Sequence, residues 1–140
     1  MSIPAHLRLE FVTPERALAQ NDVDEVVLPG ELGDLGVLPG HAPLLTALRP
    51  GEMWYRKGNE RTYAFVAGGF AEIVQDRVSI LAQVAERAEE IDIERAEAAR
   101  RRAEDALVKP SSDTDLEIAR LELARAIARL DIARRQRPRG

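Results

Sequence analysis

Leu7, Leu9 and Phe11 alternate with Arg8 and Glu10, the period of two that sends one face of a strand into a core and the other to water. Short runs of similar character follow at 23–28, 36–38, 44–48, 52–56, 62–66, 71–75 and 78–82. Turn signals punctuate them: Thr13-Pro14, Pro29-Gly30, Pro39-Gly40, Pro50-Gly51, Gly58-Asn59 and Gly68-Gly69. No helical period competes in this region. Many short strands at this spacing predict a compact β-sandwich or barrel over residues 1–84.

Past residue 84 the period changes. Asp92 is placed to cap a helix with the sequence IERAEAARRRAEDALV, which Pro110 stops after Val108. Ser111-Ser112 makes a short turn, and Thr114 followed by Glu117 has the spacing of a capping box. In the second helix Leu116, Ala119, Leu123, Ala126, Leu130 and Ala133 form a narrow heptad-like seam. Ile118, Leu121, Ala128 and Ile132 form a second apolar stripe beside it. The simplest arrangement over 85–140 is an antiparallel helical hairpin, with helices roughly 25 and 35 Å long. The first helix offers mostly alanine, so the grip between the two is small per residue.

Composition sharpens that boundary. All six aromatic residues and eight of the nine glycines precede residue 84, while twelve alanines follow it. The 140 residues carry 20 Lys+Arg against 24 Asp+Glu, a net charge of −4, which argues against a nucleic-acid partner. The first half holds 7 basic and 11 acidic residues and the second 13 of each, so the negative charge lies on the β-rich part. Zero cysteines exclude disulfides and thiolate sites, and two histidines, His6 and His41, argue against a histidine-based metal centre. No apolar run reaches membrane-spanning length, and the N-terminal residues lack the grammar of a secretory or transit leader. Membrane association is therefore expected only through partners.

Catalytic patterns are missing too. Gly30, Gly33 and Gly36 match neither a P-loop nor a dinucleotide fingerprint, and no serine lies in a nucleophile elbow. The expectation is a non-catalytic protein with no metal site and no obligatory cofactor.

The most informative segment is GELGDLGVLPGHAPLLTAL at 30–48, followed by Arg49-Pro50-Gly51. Its glycines and Pro-Gly turn predict a structured surface loop presenting His41. On chemistry alone His41 reads equally as a packed turn residue, and Glu31 and Asp34 as solvated turn acids. A second block runs Ala67-Gly68-Gly69-Phe70-Ala71-Glu72 and then Val78-Ser79-Ile80-Leu81-Ala82. A third is Ile91-Asp92-Ile93-Glu94-Arg95-Ala96, and the last helix is rich in Ala, Arg and Leu. Together, in order and over nearly the whole chain, these blocks closely resemble the ε subunits of F-type, proton-translocating ATP synthases, called δ in mitochondria.

That resemblance implies a β-sandwich bound to the foot of the rotating γ subunit and resting on the c-ring, at the cytoplasmic face of a bacterial inner membrane. Glu31 and Asp34 correspond to the region meeting the c-ring, and His41, Pro43 and Leu44 to the γ-facing segment. The hairpin corresponds to a regulatory part that extends into the α/β hexamer and obstructs ATP hydrolysis. The basic tail from Arg134 to Arg139 is then placed to face acidic loops there, or is simply a solvated terminus. Some bacterial relatives bind ATP in the folded hairpin. Carried over residue by residue, that site is Glu86, Ile91, Asp92, Arg95, Ala96, Arg102, Arg125 and Arg129. In an antiparallel hairpin turning near Ser111, Arg95 is expected about level with Arg125, and four guanidiniums would suit a triphosphate. The alternative is surface pairing, Glu97 with Arg101 and Glu122 with Arg125. A freestanding adaptor outside the synthase is the competing reading.

Overall fold

The computed structural model of the protein describes residues 6–136. The chain divides into two compact units, with the boundary after Arg87. Among the described residues the first unit holds eight strands. They are β1 (Leu7–Val12), β2 (Ala17–Val23), β3 (Glu25–Gly30), β4 (Gly33–Val37), β5 (Leu44–Ala47), β6 (Gly51–Lys57), β7 (Glu60–Val74) and β8 (Arg77–Arg87). The last strand carries the β unit three residues beyond the compositional boundary near residue 84.

Their order is β2-β1-β8-β7-β6-β3-β4, with β5 also against β7. Neighbours are antiparallel except β1 and β8, which run parallel. The β7 strand organises the sheet. Residues 60–66 pair with β6 and residues 70–73 with β5, in one unbroken register from Lys57↔Glu60 to Leu44↔Ile73. β5 and β6 thus follow one line along the same side of β7, interrupted at 48–50 opposite Gly68 and Gly69, and β6 goes on to pair with β3 on its other side.

The sequence predicted a turn at Gly68-Gly69 separating two strands. Instead the ladder to β8 runs straight through, Ala67↔Val84 and then Gly69↔Ala82, so cross-strand pairing overrides the local turn signal. The glycines break the extended geometry without ending the strand, with φ of 74° and 99°. A Cβ on Gly69 would overlap the Leu81 carbonyl oxygen, so close backbone approach demands glycine here. Such a break lets one continuous sheet fold over into the two layers of a sandwich.

The alternating positions fill the interior as expected: Leu7, Leu9 and Phe11 are buried with Val26, Leu28, Met53, Ile73 and Ile80. Two strand boundaries differ from expectation. The run at 23–28 is split at Asp24, which turns the corner between β2 and β3. β2 itself was not anticipated, because ALAQNDV buries only Leu18 and Val23. Asp24 is well used at that corner. Its carboxylate accepts from the Gly58 N–H at 2.7 Å and lies 2.8 Å from His6 Nδ1, with Arg56 at 3.8 Å. These contacts, the Gly58 N–H first and His6 next, hold its carboxyl below the usual carboxylate value.

The second unit contains a 3-10 turn (Ala88–Glu90), α1 (Ile93–Val108) and α2 (Asp113–Gln136). Asp92 is the N-cap, accepting the Arg95 N–H at 3.1 Å, and α1 stops where the sequence predicts. The second cap is a correction. Ser112, not Thr114, accepts the Asp115 N–H at 3.0 Å, so the cap lies two residues earlier, α2 begins at Asp113 and Thr114 lies inside it. The seam forms, with Ala119, Ala126, Leu130 and Ala133 buried against Ala96 and Ala103 as the buried residues of α1. Of the second stripe, Ile132 is buried while Ile118 and Leu121 stay exposed.

Candidate functional site

Two surfaces of the first unit, Glu86 on its last strand and the helical hairpin of the second unit carry the candidate residues. The structured segment at 30–34 is a β-hairpin, with Glu31-Leu32 as its two-residue tip between the paired Gly30 and Gly33. A Cβ on Gly30 would stand 2.9 Å from the Gly33 carbonyl oxygen, which explains a glycine there. The tip is tied down from behind: the Glu31 N–H donates to the Ala47 carbonyl at 2.9 Å, and Arg49 Nε donates to the Gly30 carbonyl at 3.1 Å. Arg49 also pairs with Asp34. The two acids therefore differ. Glu31 projects its carboxylate with no side-chain partner among the described residues, whereas Asp34 is engaged by its own scaffold. Between them Leu32 is fully exposed, an apolar tip that the sequence reading did not single out.

The segment 38–43 then leads into β5. His41 is half-buried, its Nδ1 2.6 Å from the Ala42 carbonyl, while Pro43 and Leu44 face solvent. Beyond them lies a feature the sequence analysis missed. Leu45, Phe70 and Leu81 are 65%, 56% and 58% exposed on adjacent strands, with Phe70 directly opposite Leu81 and Ala47 opposite Phe70. An open pocket of about 290 Å³ lies beside this pair, lined by Val12, Pro14, Gly69 and Ala82 among others. Contiguous exposed apolar surface of this kind marks a contact with another protein. Alternation could have revealed it, because Phe70 and Leu81 occupy the outward parity of their strands.

The arginine set divides between units. Glu86 stands on β8, opposite Phe65, in the first unit. Ile91, Asp92, Arg95, Ala96, Arg102, Arg125 and Arg129 belong to the second. Ile91 and Ala96 are buried, and the Asp92 carboxylate is occupied in capping α1. Arg95 and Arg102 are exposed, and their guanidiniums have no partner among the described residues. Arg125 is half-buried, and its Nε is sealed from solvent without a hydrogen-bond acceptor. Arg129 is half-buried and makes a contact of its own.

Hairpin register corrects one expectation. Glu97 accepts from Arg134 at 3.4 Å, which sets the start of α1 against the last turns of α2. Arg125 lies nine residues, about 13 Å, back along α2 from Arg134. Arg95 is therefore not level with Arg125; Arg102 is the α1 arginine nearest that level. The expected surface pairs also differ, since Glu97 takes Arg100 at 2.7 Å rather than Arg101. Of the basic tail, Arg134 and Arg135 end α2, and Arg137 and Arg139 lie outside the described residues. Among the described residues no group of His, Asp or Glu side chains is placed to hold a metal ion. No helix there is long and apolar enough to cross a membrane.

The architecture defines a class first: a β-sandwich followed by an α-helical hairpin, with surface features suited to macromolecular contact. Comparison with known proteins makes it specific. Residues 6–88 match the family model of the ATP synthase delta/epsilon chain β-sandwich domain, and residues 89–134 that of its long α-helix domain. The chain belongs to the ATP synthase delta/epsilon chain family. It is 47% identical to the ATP synthase epsilon chain of Bacillus velezensis over 127 residues, covering 91% of this chain and 96% of that one. The epsilon chain of Solibacter usitatus is 47% identical over 131 residues, 94% and 98% of the two chains. A chain of the Euglena gracilis mitochondrial ATP synthase has the same fold, with a TM-score of 0.82 at 24% identity over 91% of this chain and 81% of that one. As an epsilon chain the protein is a subunit of ATP synthase and not its catalytic part.

Proposed function

We propose that this chain is a rotor subunit of the central stalk, docking γ and the c-ring through its sandwich and restraining ATP hydrolysis through its hairpin. The observation that carries the docking is the exposed apolar strip of Leu45, Phe70 and Leu81, with the exposed Pro43 and Leu44 at the start of β5 beside it. Burying one such side chain contributes roughly 1.5–3 kcal/mol, enough for a few residues to anchor a partner. His41, Pro43 and Leu44 belong to this γ-facing surface. Glu31, with Leu32 beside it, meets the polar loops of the c-ring, and Asp34 holds the hairpin through Arg49. Membrane association at the cytoplasmic face of a bacterial membrane then runs through the complex.

The hairpin reading rests on chemistry. An alanine seam gives little area per residue, so the helices separate at small cost and a second packing against the α/β hexamer is accessible. ATP is the proposed regulatory ligand. Arg102, Arg125 and Arg129 supply its phosphate-facing charge near one level of the hairpin, with Arg95, Asp92, Ile91 and Ala96 as the remaining candidates of the second unit. The buried, unpaired Nε of Arg125 is a donor awaiting an acceptor, which a phosphate oxygen provides. ATP bound only to the closed hairpin would draw population away from the inhibitory form.

Calorimetric titration of the chain with ATP, beside the Arg102→Ala, Arg125→Ala double variant, tests the nucleotide site. Saturable one-to-one binding lost in the variant is expected; no heat up to millimolar ATP overturns it. Reconstitution with γ, comparing Phe70→Glu with the natural chain, tests docking. Equal binding by the two would favour an adaptor outside the synthase or a different face.

A further inference from the structure

Between Val37 and Leu44 the chain makes six residues of loop, carrying His41 and Pro43 of the docking surface. Their placement decides whether that surface is presented as one shape. The loop has internal bonds: the His41 N–H donates to the Leu38 carbonyl at 3.2 Å, and His41 Nδ1 meets the Ala42 carbonyl. Among the described residues one hydrogen bond ties residues 38–43 to another part of the chain. It runs from the Gly40 N–H to Asp76 Oδ1, at 2.6 Å.

Asp76 is an unusual anchor. With Gln75 it forms the two-residue turn between β7 and β8, where Val74 pairs with Arg77. Both turn residues have positive φ, 49° and 65°, and both are non-glycine. Two left-handed residues make the tight hairpin that matches strand twist, normally reserved for Asn-Gly or Gly-Gly. Aspartate tolerates this region better than most side chains, but glycine would be the comfortable choice. The carboxylate is what glycine lacks. The Asp76 backbone is engaged as well, its carbonyl accepting the Arg8 N–H at 2.8 Å as β1 begins. The turn is thereby fixed to the sheet on one side and grips the docking loop on the other.

We propose that Asp76 is a positioning residue for the γ-docking loop, kept in a left-handed turn so that its carboxylate can clamp Gly40. The inference rests on the reading of His41, Pro43 and Leu44 as a docking surface, and it adds a residue outside that surface. A charge-assisted bond to a backbone N–H in an otherwise untethered loop restricts the conformations the loop samples before docking.

Two variants of the full chain separate a clamp from a structural turn. Asp76→Gly relieves the backbone and removes the acceptor; Asp76→Asn keeps an acceptor oxygen and suits the left-handed turn. Amide exchange at Gly40, melting temperature and affinity for the purified γ subunit are measured for each. Asp76→Gly should melt no lower than the natural chain. Its Gly40 amide should exchange about tenfold faster and its γ affinity fall about five- to tenfold. Asp76→Asn should restore both to within about twofold. Unchanged Gly40 exchange in Asp76→Gly overturns the clamp, and faster exchange with unchanged γ affinity overturns its role in docking. A natural chain that does not bind γ overturns the docking reading and this role with it; natural and Asp76→Gly chains that bind equally overturn the role of Asp76 alone.

Discussion

The sandwich is filled with Phe, Leu, Ile, Val and Met, the hairpin seam largely with alanine. Each large apolar side chain removed from water contributes a few kcal/mol, an alanine methyl less than one. One chain thus carries a unit whose shape is held firmly and a unit whose two helices are held lightly. The proposed docking role needs the first property. The proposed regulatory role of the hairpin needs the second, because a ligand or partner can shift an equilibrium only by its differential affinity for the two states.

The contrast can be broken hardest in the sandwich. Phe11→Ala should cost about 3–5 kcal/mol and lower the urea midpoint of the strand signal, since a fully buried ring leaves a cavity among close-packed neighbours. Gly69→Ala follows, at on the order of 3 kcal/mol, because its Cβ overlaps the Leu81 carbonyl and its φ is left-handed. The same measurement checks it.

In the hairpin the expected sign reverses. Arg125→Met removes a buried unpaired Nε and keeps the apolar stem, so the helical signal should gain about 1 kcal/mol while calorimetric ATP binding disappears. A variant that loses helical stability would show that the guanidinium already has the partner it needs. The smallest effect is acid dependence in the sandwich. A carboxyl depressed in the folded state contributes stability that is in place above its unfolded value of about 4 and is lost as pH falls through the folded value. Asp24→Asn should therefore flatten the acid limb of the strand signal below about pH 4, read as a smaller drop in urea midpoint than the natural chain shows.

These differences also mark what the sequence makes legible. The core of β1 is readable because Leu7, Leu9 and Phe11 alternate cleanly, and α1 because Asp92 and Pro110 bracket it. Family membership is readable because whole motifs occur in order. β2 was hidden, since a strand with two buried positions among polar ones has no period. Gly68-Gly69 was misread because turn chemistry is local while the ladder to β8 is not. In the candidate sites, the sequence offers residues to name but not their geometry. Nothing in GELGDLG distinguishes an exposed Glu31 from an Asp34 bound by Arg49, fifteen residues on. Spacing put Arg95 beside Arg125 from the turn outward, whereas the Glu97–Arg134 contact sets another register. Asp76 attracted no attention because its partner, Gly40, is thirty-six residues away.

Native-state hydrogen exchange of the full chain, residue by residue and with and without ATP, tests the central contrast most directly. Amides around Ala96, Ala103, Ala119 and Ala126 should open at a clearly lower free energy than those of Leu9, Ile73 and Ile80, and ATP should raise protection in the first group alone. A single opening free energy shared by both groups, moving together with ATP, would contradict it.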